Sequence, residues 1–181
     1  MTVLPIVTAP DPRLKIKSQP VEKVTDEIRK LMDDMLETMY ASEGIGLAAV
    51  QVGVHKRVLV MDLEAGSKRY PDTEGNKTPN PIYMVNPEIV EESQERNIYE
   101  EGCLSFPGQY AEVDRPKRVK IKYLDYNGKP EILDADDLLA TCVQHEIDHL
   151  NGVVFVDHIS TVKRDMIIRK LKKAKKAEDQ Q

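Results

Sequence analysis

Residues 26–40 set apolar side chains on one face of a helix: Ile28, Leu31, Met32, Met35, Leu36 and Met39 recur at three- and four-residue spacing. Thr25 precedes them as a candidate N-cap, and Asp26 and Glu27 complement the positive end of the helix. The methionines on that stripe read as core. "RVLVMDL" (57–63) is an unbroken apolar run of the length of a buried strand, and "YMVNPEIV" (83–90) reads as a second strand. "RVKIKYLDYNGKPEILDA" (118–135) alternates on both sides of Asn127-Gly128, which predicts a hairpin with a tight turn. Helical spacing returns with Leu138, Leu139, Val143, Ile147 and Leu150, starting near Asp134 or Asp136, with Gly152 placed to end the helix. Ser160 can cap a last helix carrying Met166, Ile167, Ile168 and Leu171. Residues 64–81, rich in Gly, Pro, Asn and charge, read as a long surface loop. Strands without a regular strand–helix alternation, and no internal repeat or linker, predict one α+β domain.

Length and composition narrow the class. The chain has 181 residues with 40% hydrophobic and 31% charged side chains, within the range of a single globular domain. No apolar run approaches the roughly 20 residues a membrane span needs. "MTVLPIVTAPDPRLK" has no basic start followed by an apolar run, so no secretory signal is expected. Two cysteines, Cys103 and Cys142, are too few for a disulfide framework. The net charge of −5 is uneven. Residues 160–181 hold eight Lys/Arg against three acidic side chains, a net +5 that leaves −10 for the rest. A basic tail on an acidic body suggests a polyanionic partner, and equally describes a solvated helix face.

The chemistry concentrates in "QHEIDH" (144–149). On a helix His145 and His149 stand about 40° apart around the axis and roughly 6 Å along it, so both imidazoles can reach one ion. Glu146 lies beside them as a candidate base. Two histidines do not complete a catalytic centre, and a third ligand is required. The continuation "HEIDHLNGVVF" has Gly152 in place for a third-histidine pattern, but Phe155 stands where that histidine would be. Asp157, Asp165 and His158 remain possible; Glu178 is the one glutamate after His149, in the charged tail. Cys142 shares the helical face but lies about 10.5 Å from His149 along the axis, which suits an apolar wall better than a ligand. Cys103, in "EGCLSFPG" (101–108), offers a thiolate in a Gly- and Pro-flanked segment. Cys plus two His with one open position suits a catalytic ion. "GIGLAA" (44–49) with Asp62 downstream also satisfies a dinucleotide-binding pattern, but that fingerprint must follow a strand and here follows a predicted helix.

"GIGLAAVQVG" (44–53), "EGCLS" (101–105) and "QHEIDH" together resemble the three sequence blocks of peptide deformylases, in order and spacing. The likeness extends from "PDPRL" to the basic C-terminal helix. It implies small mixed or antiparallel sheets around a central helix bearing His145 and His149, with an N-terminal and a C-terminal helix. Residues 1–159 would form the catalytic domain, with 160–181 as a helix and tail of the same domain. It implies Cys103, His145 and His149 as ligands of one divalent ion, ferrous iron expected, with zinc, nickel or cobalt as substitutes. Glu146 would be the base and acid, with Gln51 and the Leu104 N–H stabilising the oxyanion as formate leaves an N-formylmethionyl nascent peptide. Ile45 and Gly46 would pair with that peptide as an added strand, and Gly102 would serve its other side. Ile45, Leu138, Cys142 and the face of His145 would line the methionine pocket. Tyr110 stands where some relatives carry an arginine that touches the peptide. Cytoplasmic location and ribosome docking through the basic helix are further expectations; no membrane partner or nucleotide cofactor is expected. Two competitors stay open: a metallopeptidase using Asp157 or Asp165, and a ribosome-associated protein with a structural ion.

Overall fold

The computed structural model describes residues 1–67 and 78–181. The expected loop at 64–81 therefore lies partly outside the described residues. Among the described residues three α-helices, α1 (Asp26–Ala41), α2 (Asp137–Leu150) and α3 (Thr161–Asp179), accompany seven strands. These are β1 (Gly46–Ala48), β2 (Val58–Met61), β3 (Ile82–Glu92), β4 (Arg96–Cys103), β5 (Phe106–Pro116), β6 (Arg118–Leu124) and β7 (Pro130–Asp136). They form a five-stranded sheet in the order β1-β2-β3-β6-β7 and a separate β4–β5 hairpin. Every pairing between these strands is antiparallel, the α+β arrangement that was expected.

The five-stranded sheet is covered on both faces, and β2 shows why an unbroken apolar run was needed. Leu59 and Met61 pack with Ala140, Val143, Ile147 and Leu150 of α2. Val58 and Val60 pack with Ile28, Met32, Met35, Leu36 and Met39 of α1. Successive strand residues point to opposite faces, so a strand sandwiched between helices is apolar throughout. Thr25 caps α1, its hydroxyl accepting from the Ile28 N–H, and Ser160 caps α3 in the same way from Lys163. At the end of α2, Gly152 takes φ +73°, and a Cβ there would meet the Lys15 carbonyl oxygen at 2.4 Å. Gly152 is thus fixed both by the left-handed turn and by the chain crossing above it.

The hairpin β4–β5 was not anticipated; only its Gly- and Pro-flanked tip stood out in the sequence. Its inner face carries Cys103, Phe106 and Val113 into a third cluster with Phe155, Ile167 and Leu171. That cluster seats α3 against the body through Ile167 and Leu171 while its lysines stay at the surface.

Candidate metal centre

Helix α2 presents its chemistry from inside the molecule. Residues 140–147, 149 and 150 are all buried, including His145, Glu146 and His149. The two imidazoles stand with ring centroids 5.0 Å apart and planes inclined by 70°. Cys103, the last residue of β4, brings its Sγ to 3.3 Å from His149 Nε2. Ligand atoms of Cys103, His145 and His149 all lie within 4.8 Å of one another, the one such group of three among the described residues. Bond lengths of about 2.3 Å to sulfur and 2.0–2.1 Å to nitrogen in a tetrahedral shell place S and N roughly 3.5 Å apart. The Cys103–His149 separation of 3.3 Å matches that spacing, and His145 completes a donor set suited to a divalent ion.

His145 is held from behind, whereas the buried Nδ1 of His149 has no hydrogen-bond partner. Glu101 accepts from His145 Nδ1 at 2.8 Å, which leaves Nε2 to face the other donors. Arg115 grips both oxygens of Glu101, at 2.7 and 3.0 Å, and reaches Asp148 at 2.8 Å. Asp148 in turn accepts from His158 Nε2 at 2.8 Å. Burial alone would raise the Glu101 carboxyl, but its bonds to His145 and Arg115 outweigh that and hold it at about 2. It is an anion at any working pH. Burial likewise disfavours the charged form of His145, and hydrogen bonds with Cys103 and Glu101 reverse the balance, raising it well above its usual value. His149 moves the opposite way, pushed down by burial and by its neighbour His145. Phe155 stacks on His145, centroids 6.0 Å apart and planes 25° apart, and meets Phe106 edge-on at 5.1 Å.

Glu146 is the poised group. Burial lifts its carboxyl to about 7, and its Oε2 is a buried atom without a hydrogen-bond partner. An orphaned carboxylate oxygen in a cleft calls for a partner the protein itself does not supply. The other oxygen lies against Gly46, where a Cβ would come within 2.8 Å of Oε1 and 3.0 Å of Cys142 Sγ. Gly46 is thus glycine to let the helix approach the strand. Gln51, in a 3-10 turn at Ala49–Val52, accepts from the Ala48 N–H through Oε1 at 2.9 Å. That turns its amide nitrogen inward, 3.0 Å from Ser105 Oγ and 3.5 Å from Cys103 Sγ.

One cleft collects most of the residues singled out in the sequence. Ile45, Gly46 and Gln51 line one side, Gly102, Cys103 and Leu104 the other, with Leu138, Cys142, His145 and Glu146 as the floor. Among the described residues β1 forms the edge of its sheet and β4 pairs only with β5, so strand edges flank the cleft. Cys142 keeps its proton: burial and the nearby Glu146 push its thiol well up, and Sγ lies 3.8 Å from the Ile45 carbonyl oxygen. Tyr110 is not in that lining. Its ring covers Gly102, where a Cβ would meet it at 2.6 Å, and it borders a groove on the far side of the hairpin. The open alternatives for a third ligand are engaged elsewhere: Asp157 with Lys15 and the Val154 N–H, Asp165 with Arg164, His158 with Asp148. Asp62 binds the Tyr40 hydroxyl and the Glu64, Ala65 and Asn80 N–H groups, so it pins a loop; "GIGLAA" opens β1 and a 3-10 turn rather than a helix after a strand. Glu101, Arg115 and Ser105 went unremarked in the sequence, though Glu101 and Ser105 stood within the quoted "EGCLS".

A buried Cys/His/His trio beside an unpartnered glutamate, with the histidines one helical turn apart, has the donor set of a metal-dependent hydrolase of the H-E-x-x-H kind. Comparison with known proteins gives the family. The polypeptide deformylase model matches residues 3–165, and the chain belongs to that family. It is 52% identical over 176 residues to a peptide deformylase of Rhizobium meliloti (strain 1021), covering 97% of this chain and 96% of that one. It is 55% identical to one of Rickettsia akari (strain Hartford), covering 97% and 98%. Among solved structures, the peptide deformylase from Ehrlichia chaffeensis in complex with actinonin superposes with a TM-score of 0.87 at 52% identity, over 96% of this chain and 98% of that one.

Proposed function

We propose that this chain hydrolyses the formyl group from the N-terminal formylmethionine of newly made polypeptides, through a divalent ion held by Cys103, His145 and His149. The observation that carries the reading is the meeting of those three donors with the unpartnered Glu146 in one cleft. A bound ion supplies Lewis-acid chemistry, activating water and the formyl oxygen. Glu146 takes a proton from the attacking water and passes it to the departing amine, a role suited to a carboxyl near 7. The Gln51 amide, turned inward by the Ala48 N–H, donates to the oxyanion together with the Leu104 N–H. Gly46 at the edge of β1 with Ile45 just before it, and Gly102 on β4, hold the peptide backbone between two strand edges. The methionine side chain rests against Ile45, Leu138, Cys142 and His145, with Tyr110 near residues further along.

Ferrous iron is the ion we put first, with zinc, nickel or cobalt as substitutes the same donors accept. The whole chain acts as one catalytic unit in the cytoplasm, and the lysines of α3 dock it on ribosomal RNA by releasing counterions from phosphate. No helix among the described residues is long and apolar enough to cross a membrane. Formate release from formyl-Met-Ala-Ser, with metal analysis of protein purified without oxygen, tests the reading. Turnover that tracks metal content is expected. A fully loaded, folded enzyme that releases no formate would overturn it.

A further inference from the structure

On the far side of the hairpin, β5 and the first half of α3 flank an open groove of about 590 Å³ that, Tyr110 apart, the mechanism above does not use. The size lies in the ~300–1,000 Å³ range of ligand sites. Its floor is apolar, with Ala111, Ile159, Ile167 and Met166. Glu100 and Glu112 stand on the hairpin wall, Lys163 and Lys170 on the helix wall. Met166 is 51% exposed and Tyr110 46%, large for apolar and aromatic side chains with nothing over them. Tyr110, on the rim of the groove, lays its ring on Gly102, which lines the active cleft. Among the described residues β5 pairs with β4 alone, so its other edge faces the groove with main-chain donors and acceptors.

We propose that this groove receives the polypeptide downstream of the formylmethionine, beyond its third residue, and makes longer chains better substrates than tripeptides. The inference rests on the deformylase reading and extends its substrate site. Three features select a polypeptide. The Tyr110 ring, which borders the groove, rests on Gly102 of the cleft, so the two sites are neighbours. It offers a strand edge, which recognises backbone whatever the sequence, as nascent chains of every composition require. Its walls carry both signs of charge over an apolar floor, whereas Glu100 and Glu112 would repel the phosphates of a nucleic acid. Crossing a two-stranded hairpin, about 10 Å wide, takes roughly three extended residues. An octapeptide therefore reaches the groove and a tripeptide does not. Helix α3 becomes a wall of the substrate path as well as a basic surface.

The test compares kcat/KM for formyl-Met-Ala-Ser with that for an octapeptide of the same start carrying leucines at positions five to seven. The metal-loaded wild type and Met166→Glu are assayed side by side. The substitution is at an exposed helical position, so folding and tripeptide turnover stay at wild-type levels. The octapeptide is expected to exceed the tripeptide by about fivefold or more in the wild type, the scale of a partly buried apolar contact. Met166→Glu brings that ratio to about one. No length advantage in the wild type overturns the inference, as does an advantage that survives Met166→Glu. A benzophenone at residue six of the octapeptide adds a second readout: labelling of Met166 or Tyr110 is expected, and labelling confined to other surfaces also overturns it. Loss of tripeptide turnover in the loaded wild type is a separate outcome that counts against the deformylase reading.

Discussion

Replacing Gly46 by alanine adds one methyl group at the point where the candidate base meets the sheet. That carbon would sit 2.8 Å from Glu146 Oε1 and 3.0 Å from Cys142 Sγ. Ordinary contact is about 3.5 Å, so the overlap is roughly 0.5 Å or more with each. Gly46 is not among the residues with positive φ, so alanine suits its backbone and the effect is purely steric. Neither neighbour yields easily, since Glu146 and Cys142 are 4% and 5% exposed on a helix packed along most of its length. The methyl must therefore push the carboxylate aside or part β1 from α2. Overpacking of this kind costs about 1–3 kcal/mol, equivalent to a melting point lower by about 2–12 °C in a chain of this size. A carboxylate displaced by up to 1 Å costs about 10²-fold in rate. Formate release should show kcat down by about 10–100-fold with metal content unchanged, because the three atoms nearest the added carbon belong to Glu146 and Cys142 and none is a metal ligand. A folded, metal-replete Gly46→Ala enzyme turning over within twofold of wild type would refute the placement of Glu146 as the base.

Glu146→Ala should retain the metal and lose about 10²–10⁴-fold in kcat, and wild-type-like turnover would exclude it as the proton carrier. Glu101→Gln removes the anion that orients His145 and should weaken metal binding about 10–100-fold in a chelator competition; unchanged affinity would show that His145 is held by other means. Phe155→Ala opens a cavity between His145 and Phe106 and should cost about 3–5 kcal/mol in denaturant unfolding, while a loss below about 1 kcal/mol would contradict the packing described. Ribosome docking is tested by charge rather than by truncation, since deleting α3 would strip Ile167 and Leu171 from the core. Exposed Arg169, Lys172, Lys173 and Lys176 changed together to glutamine should abolish salt-sensitive co-sedimentation with ribosomes, and equal binding would end that proposal.

Periodicity carried the sequence a long way, for physical reasons that differ by element. A helix stripe such as Ile28–Met39, the doubly buried run Val58–Met61 and the Asn-Gly turn each record a local requirement, and all three folded as the pattern implied. The spacing of His145, Glu146 and His149 is likewise local, because one helical turn carries it. The hairpin β4–β5 escaped because its outer face mixes Ile98, Glu100, Glu112 and Asp114 and its inner face sets the buried charges Glu101 and Arg115 among Cys103, Ala111 and Val113, so no alternation stands out. Beyond the ligand trio that the family resemblance implied, tertiary structure alone decided the partnerships across chain distance. Cys103 meets His149 from 46 residues away, and Arg115 ties Glu101 to Asp148 although nothing near it in sequence marks it. Those contacts depend on a hairpin folding over a helix, a placement set by the summed burial of Phe106, Val113, Phe155 and Ile167. A residue's own neighbours in sequence hold no record of that sum, so local pattern offered the donors one by one, resemblance alone grouped them, and the geometry of their meeting was a property of the packed core.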